Sequence, residues 1–109
     1  MKLVYISGPY SSPSRNSAEV DLNIAKAKLV ALKYWKLGYA VICPHMNTAH
    51  MDGQITWQEF MEGDLEILKR CDMIVMLPGY ERSVGSRIEL HYAQAHPAIE
   101  IVYEKQETP

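Results

Sequence analysis

The chain reads as a single α/β domain built on a doubly wound parallel sheet, because short β-rich runs alternate with longer stretches of helical period. Two further observations support this. The runs are closed by proline or glycine, at Gly8-Pro9, Pro44 and Pro78-Gly79. The run DMIVML at 72–77 is apolar after its first residue, as in strands covered by helices on both faces.

The first strand is residues 3–7 (LVYIS), followed by a Ser-, Pro- and Asn-rich loop. A helix is expected over 17–37. Asn16 can cap it, with Glu19 three residues on. Val20, Ile24, Ala27, Ala31 and Tyr34 recur at helical intervals, and Gly38 is a natural residue just past the end. Residues 39–43 (YAVIC) form the second strand, and 45–54 read as a polar loop. Thr56 and Glu59 have the spacing of a capping box, which opens a helix to about residue 70. The strand at 72–77 follows, then a loop over 80–84 and a helix over 83–96 that Pro97 ends. Residues 99–103 (IEIVY) form the last strand, and 104–109 a polar tail. The order β-α-β-α-β-α-β predicts a flavodoxin- or Rossmann-like sheet of four to five strands, with right-handed crossovers. Ligands of such sheets bind at the carboxyl ends of the strands, so the loops after residues 7, 43 and 77 are where chemistry is expected.

The chain has 109 residues, 48% hydrophobic and 22% charged, with a net charge of −2. That composition fits one folded domain and excludes disorder. Mild acidity speaks against a nucleic-acid polymer as partner, since phosphate backbones call for a basic face. No apolar run approaches a membrane span. Cys43 and Cys71 read as reduced, buried thiols. With no basic and apolar leader at the N-terminus, the expected location is the cytoplasm.

The loop SGPYSS after the first strand lacks both glycine-rich nucleotide fingerprints. Gly8 would allow close backbone approach, and Arg15 offers a fixed positive charge. Such a loop is equally an ordinary β–α turn. Ser83-Val-Gly-Ser-Arg-Ile-Glu89 runs into a helix, whose N-terminus presents unpaired N–H groups to an anion. Ser83 would cap the helix or take a phosphate, and Gly85 would permit close approach. Glu89 stands between Ile88 and Leu90, and Asp64 follows Gly63 in mid-helix. A carboxylate among apolar residues costs energy unless it is paired or functional, although a lone helix carboxylate is usually a solvated one. Asp72 reads as a structural turn residue. His45 opens the second crevice loop, where it could meet a base or sugar. His91 and His96 do not share a helix face, and no metal-ligand spacing is present, so no metal or cofactor is expected. Trp35, Trp57 and Phe60 read as core or interface.

Taken in order, Tyr5-Ile-Ser-Gly8-Pro9, Asp64 with Asp72-Met-Ile-Val, and Ser83-x-Gly85-x-x-x-Glu89 resemble the nucleoside 2-deoxyribosyltransferase-like superfamily over nearly the whole chain. Two branches are most similar. One is a group of small phage and bacterial proteins of the DUF4406 type, sharing YISGP and LPG-x-E-x-S-x-G-x-x-x-E. The other is the 2′-deoxynucleoside 5′-monophosphate N-glycosidases. The resemblance implies that Glu89 attacks C1′ of a 2-deoxyribosyl group and displaces the base, leaving a covalent glycosyl-enzyme for water or a second base to resolve. It implies that Asp64 orients the nucleophile or handles the leaving base's proton, that Tyr5 holds the glutamate, and that Gly8 and Pro9 shape the pocket floor; Tyr10, next in the loop, is a further candidate for binding substrate. The transferases carry an acidic residue six before the nucleophile, where this chain has Ser83. That favours a 5′-monophosphate, because serine accepts a phosphate that a carboxylate would repel. Arg15 and Arg87 are candidate phosphate partners, and His45 matches a histidine after the second strand of the hydrolase branch. The first loop carries PYSSPSRN where that branch has Arg-Gly-Gly character. The resemblance also implies a homodimer or higher homo-oligomer. A non-catalytic nucleotide-binding module, an NAD glycohydrolase and a purely structural role are the other readings.

Overall fold

The computed structural model describes residues 1–10, 17–49, 51 and 53–105. Four parallel strands, β1 (Leu3–Ser7), β2 (Ala40–Ile42), β3 (Met73–Met76) and β4 (Glu100–Tyr103), lie in the order β2-β1-β3-β4. Among the described residues four helices accompany them: α1 (Ser17–Lys36), α2 (Pro44–Asn47), α3 (Trp57–Leu68) and α4 (Val84–Gln94). A 3₁₀ turn spans Tyr80–Arg82. The fold is therefore the expected doubly wound α/β class, with four strands among the described residues.

Strand periodicity sorts the core into two layers. Val4 and Ile6 of β1 face α1 and pack with Ala27, Ala31 and Tyr34. Tyr5, between them, faces the opposite side, where Ile74 and Met76 meet Leu68 of α3 and Ala93 of α4. Chain order reverses between β1 and β3, whose residues pair in register from Val4↔Met73 to Ser7↔Met76. That junction is the switch point at which sheets of this topology leave a crevice.

The boundaries follow local chemistry. Past the end of α1, Gly38 adopts φ +97°. The Gly38 N–H donates to the Trp35 carbonyl and the Tyr39 N–H to the Tyr34 carbonyl, while the Tyr34 and Tyr39 rings meet at 5.7 Å. This is a Schellman closure with its hydrophobic contact. It consumes Tyr39, and Cys43 serves as N-cap of α2, so β2 is shorter than the expected 39–43. The capping box of α3 is present: the Thr56 hydroxyl accepts from the Glu59 N–H, and the Glu59 carboxylate accepts from the Thr56 N–H, both at 3.1 Å. The proposed cap of α1, Asn16, lies outside the described residues.

Two expectations are corrected. The span 45–54 is not loop throughout, because Pro44 sits at the first position of α2, where its fixed φ suits a helix and its missing N–H is not needed. Glu104 is not a free tail residue. Its N–H donates to the Met76 carbonyl at 2.9 Å, and its carboxylate accepts from Lys33 Nζ at 2.7 Å and from the Tyr34 hydroxyl at 3.3 Å. Asp72 has the structural role expected of it, since its Oδ2 accepts the Leu3 N–H at 2.8 Å.

Candidate active site

Tyr5 and Ser7 stand two residues apart on β1, so both project to the face covered by α4. There they grip Glu89. The Tyr5 hydroxyl donates to Glu89 Oε2, and the Ser7 hydroxyl donates to Glu89 Oε1 at 2.7 Å. All three side chains are buried, Glu89 at 7% exposure. One carboxylate thus receives a hydroxyl on each oxygen from a rigid strand, 82 and 84 residues away in sequence. The general expectation of a solvated helix glutamate does not hold here.

Ser7 and Glu89 line a cavity of about 580 Å³, walled by the segments that follow β1, β2 and β3, while Tyr5 is fully buried behind them and does not line it. Asp64 of α3 lines the same cavity, as do Gly8, Tyr10, His45, Ser83 and Gly85. Arg87 is exposed on α4 and does not line the cavity, whereas Arg82 does. Arg15 lies outside the described residues. Pro9 contributes through its backbone: its carbonyl receives the His45 Nε2 proton at 2.7 Å.

Burial sets the charge states. It lifts the Glu89 carboxyl to about 7, against the downward pull of the Ser7 and Tyr5 hydroxyls, while Asp64 adds a smaller upward push. Burial also lifts Asp64 to about 6. Tyr5 is held well above the usual phenol range, first by burial and then by the Glu89 and Asp64 charges. The His45 imidazole is lowered by burial, opposed by the Pro9 and Gly8 backbone. Because Nε2 faces a carbonyl, it carries the proton. The buried Nδ1 is then a bare acceptor, and it has no hydrogen-bond partner among the described residues.

Ser83 is the N-cap of α4, its hydroxyl accepting the Ser86 N–H at 3.2 Å. The two glycines serve packing rather than open space for a ligand. A Cβ on Gly8 would lie 2.6 Å from the Leu77 Cβ, and one on Gly85 would lie 3.1 Å from the Met61 Sδ. Gly8 lets β1 leave the sheet beside β3, and Gly85 lets α4 approach α3.

Several lining residues were not singled out from sequence. Ser7 follows from Tyr5 by strand period, once Tyr5 is placed. Trp57 and Phe60, expected in the core or an interface, line the cavity. Trp57 is 57% exposed, on the first turn of α3. Among the described residues, no group of three or more His, Cys, Asp or Glu side chains is placed to hold a metal ion. No helix there is long and apolar enough to cross a membrane.

Fold and site together define a class: a small, doubly wound α/β domain with a hydroxyl-bound glutamate and a half-buried aspartate in its switch-point crevice. Within that class the chain belongs to the DUF4406 family, described as a domain of unknown function, whose family model matches residues 2–103. No curated protein matches it.

Proposed function

We propose that this protein cleaves or transfers the N-glycosidic bond of a 2′-deoxynucleoside, with the 5′-monophosphate favoured, through a glycosyl ester on Glu89. The observation that carries the reading is the Tyr5–Glu89–Ser7 cluster, of which Ser7 and Glu89 line the switch-point crevice. The resemblance to the nucleoside 2-deoxyribosyltransferase-like superfamily supplies the chemistry. A nucleotide is also the kind of ligand that such crevices commonly hold.

In the first half-reaction a Glu89 oxygen forms a bond to C1′ as the bond from C1′ to the base nitrogen breaks. The electron pair stays on the base, and a proton from Asp64 neutralises it. An acid at about 6 keeps a share of Asp64 protonated near neutrality. In the second half-reaction water, or the nitrogen of a second base, attacks C1′ and frees Glu89. Asp64 takes up the proton released. The Tyr5 and Ser7 hydroxyls fix the nucleophile's orientation and favour its ionised form. Ser83 and the first N–H groups of α4, with Arg82 beside them, form the end suited to a phosphate.

The test is base release from each deoxynucleoside and its 5′-monophosphate, with ribonucleotides and NAD as further arms. The expected result is free base with the wild type and a loss of at least about a thousandfold in Glu89→Ala. Ser83→Asp keeps a competent cap and should move preference from the monophosphate toward the free nucleoside by about tenfold or more. Release only from NAD would replace the substrate. Nucleotide binding without release, with or without an acceptor base, would sink the catalytic reading in favour of a binding module.

A further inference from the structure

Trp57, on the first turn of α3, lines the cavity and is nevertheless 57% exposed. So large an apolar surface is costly to leave in water. Among the described residues no other aromatic ring stacks on it. The capping box of Thr56 and Glu59 fixes this turn, so the indole stands on rigid backbone and only its two side-chain torsions remain to be ordered by a ligand. Trp57 is also one of a row. Trp57, Phe60, Met61 and Asp64 recur at helical spacing on one face of α3, and all four line the cavity. The row ends in the Asp64 carboxyl, about 10 Å along the helix axis from Trp57. Helix α4 runs beside α3 in the same direction, with Gly85 against Met61 and Glu89 within electrostatic reach of Asp64. The two carboxyls therefore form the inner end of the crevice, and the exposed Trp57 an outer one.

We infer that Trp57 stacks on the nucleobase of the substrate and makes the crevice favour bases of large aromatic surface, purines over pyrimidines. The inference rests on the reaction proposed above and follows from its stereochemistry. A nucleophile that displaces the base attacks C1′ from the sugar face opposite to it. In a nucleotide the base and the 5′ carbon project from the same face of the ring. With Glu89 on the other face, at the inner end, both point outward. The phosphate goes to the start of α4, and the base is left with the row on α3. Asp64 then meets the base near the bond that breaks, where the proton is needed, while Phe60 and Trp57 lie farther out along it. A purine reaches farther along this row than a pyrimidine and covers more of the indole. Stacking needs only a π-face on the ligand, so Trp57 grades bases by surface rather than by hydrogen-bond pattern.

Fluorescence titration tests it. The other tryptophan, Trp35, lies on α1 and does not line this cavity. Trp35→Phe thus leaves Trp57 as the sole indole, and Glu89→Ala prevents turnover. In that background dAMP should quench the emission, and 2-deoxyribose 5-phosphate, which has no base, should not. By calorimetric titration, Trp57→Ala should weaken dAMP binding about tenfold or more, weaken dCMP binding less, and leave 2-deoxyribose 5-phosphate binding unchanged. Trp57→Phe should recover most of the lost dAMP affinity. Binding of dAMP with unchanged emission would overturn the inference and leave the proposed reaction standing. So would a Trp57→Ala variant that binds dAMP as before, or one that loses dAMP and the base-free sugar phosphate equally, which marks a structural role. A loss for dCMP as large as that for dAMP would overturn the preference for purines. Failure of every nucleotide to bind would overturn the proposed reaction and this inference together.

Discussion

Glu89 has two opposed demands on its proton. Burial favours the acid, while the Tyr5 and Ser7 hydroxyls favour the carboxylate, and the balance leaves it at about 7. Asp64 stands at about 6. If attack needs ionised Glu89 and protonated Asp64, the competent form is the minority one, and kcat/KM follows a bell with its top between pH 6 and 7. The pH profile of base release checks this, and Asp64→Asn should remove the alkaline limb. Glu89 also couples to stability. Its folded value lies above the ordinary 4.5, so the folded chain binds the proton more tightly than the unfolded chain between about 4.5 and 7. Unfolding free energy therefore falls as pH rises through that window, by a sum on the order of 3 kcal/mol. Glu89→Gln should flatten that slope in urea titrations at pH 5 and pH 8. Sequence reached Glu89, Asp64 and Tyr5 only through the ordered resemblance, because a single helix carboxylate has no local mark of burial. The strand that makes Glu89 special is more than 80 residues away in the chain. Arg82 was missed because its approach to the crevice depends on the 3₁₀ turn, which no local pattern announced.

Elements whose ends have their own chemistry were legible. Thr56 and Glu59 marked the start of α3, and Gly38 marked the end of α1, because these motifs are complete within a few residues. Thr56→Ala should cost about 1 kcal/mol by losing the cap, read as a shift in denaturant midpoint. Gly8→Ala should cost more, about 1–3 kcal/mol, since the new Cβ meets Leu77 next to its backbone. The same measurement ranks the two. Helix α2 was illegible because four residues are too few to display a period, and Pro44 ends a strand as readily as it begins a helix. That Trp57 and Phe60 line the crevice was illegible for a related reason. Apolar side chains at helical spacing signal a face, and nothing in the spacing tells a core from the wall of a crevice.

For the whole molecule, the sheet order β2-β1-β3-β4 makes the crevice a property of the folded topology rather than of any one loop. A ligand that fills it should bind only the folded chain. With Glu89→Ala to prevent turnover, a deoxynucleoside monophosphate at 100 times its Kd should add about 2.7 kcal/mol of stability, seen as a rise in Tm that free phosphate at the same concentration does not match. Strand alternation and the apolar run at 72–77 made the fold class readable, whereas the strand order depends on long-range pairing that no window of sequence contains. The grip of β1 on Glu89 has a practical side for protein engineering. The Glu89 carboxylate is fixed to the sheet, while Ile55, Trp57, Arg82 and Val84 around the crevice belong to helix starts and connections. A library confined to those positions would vary what enters the crevice while leaving the carboxylate and its two hydroxyl donors in place.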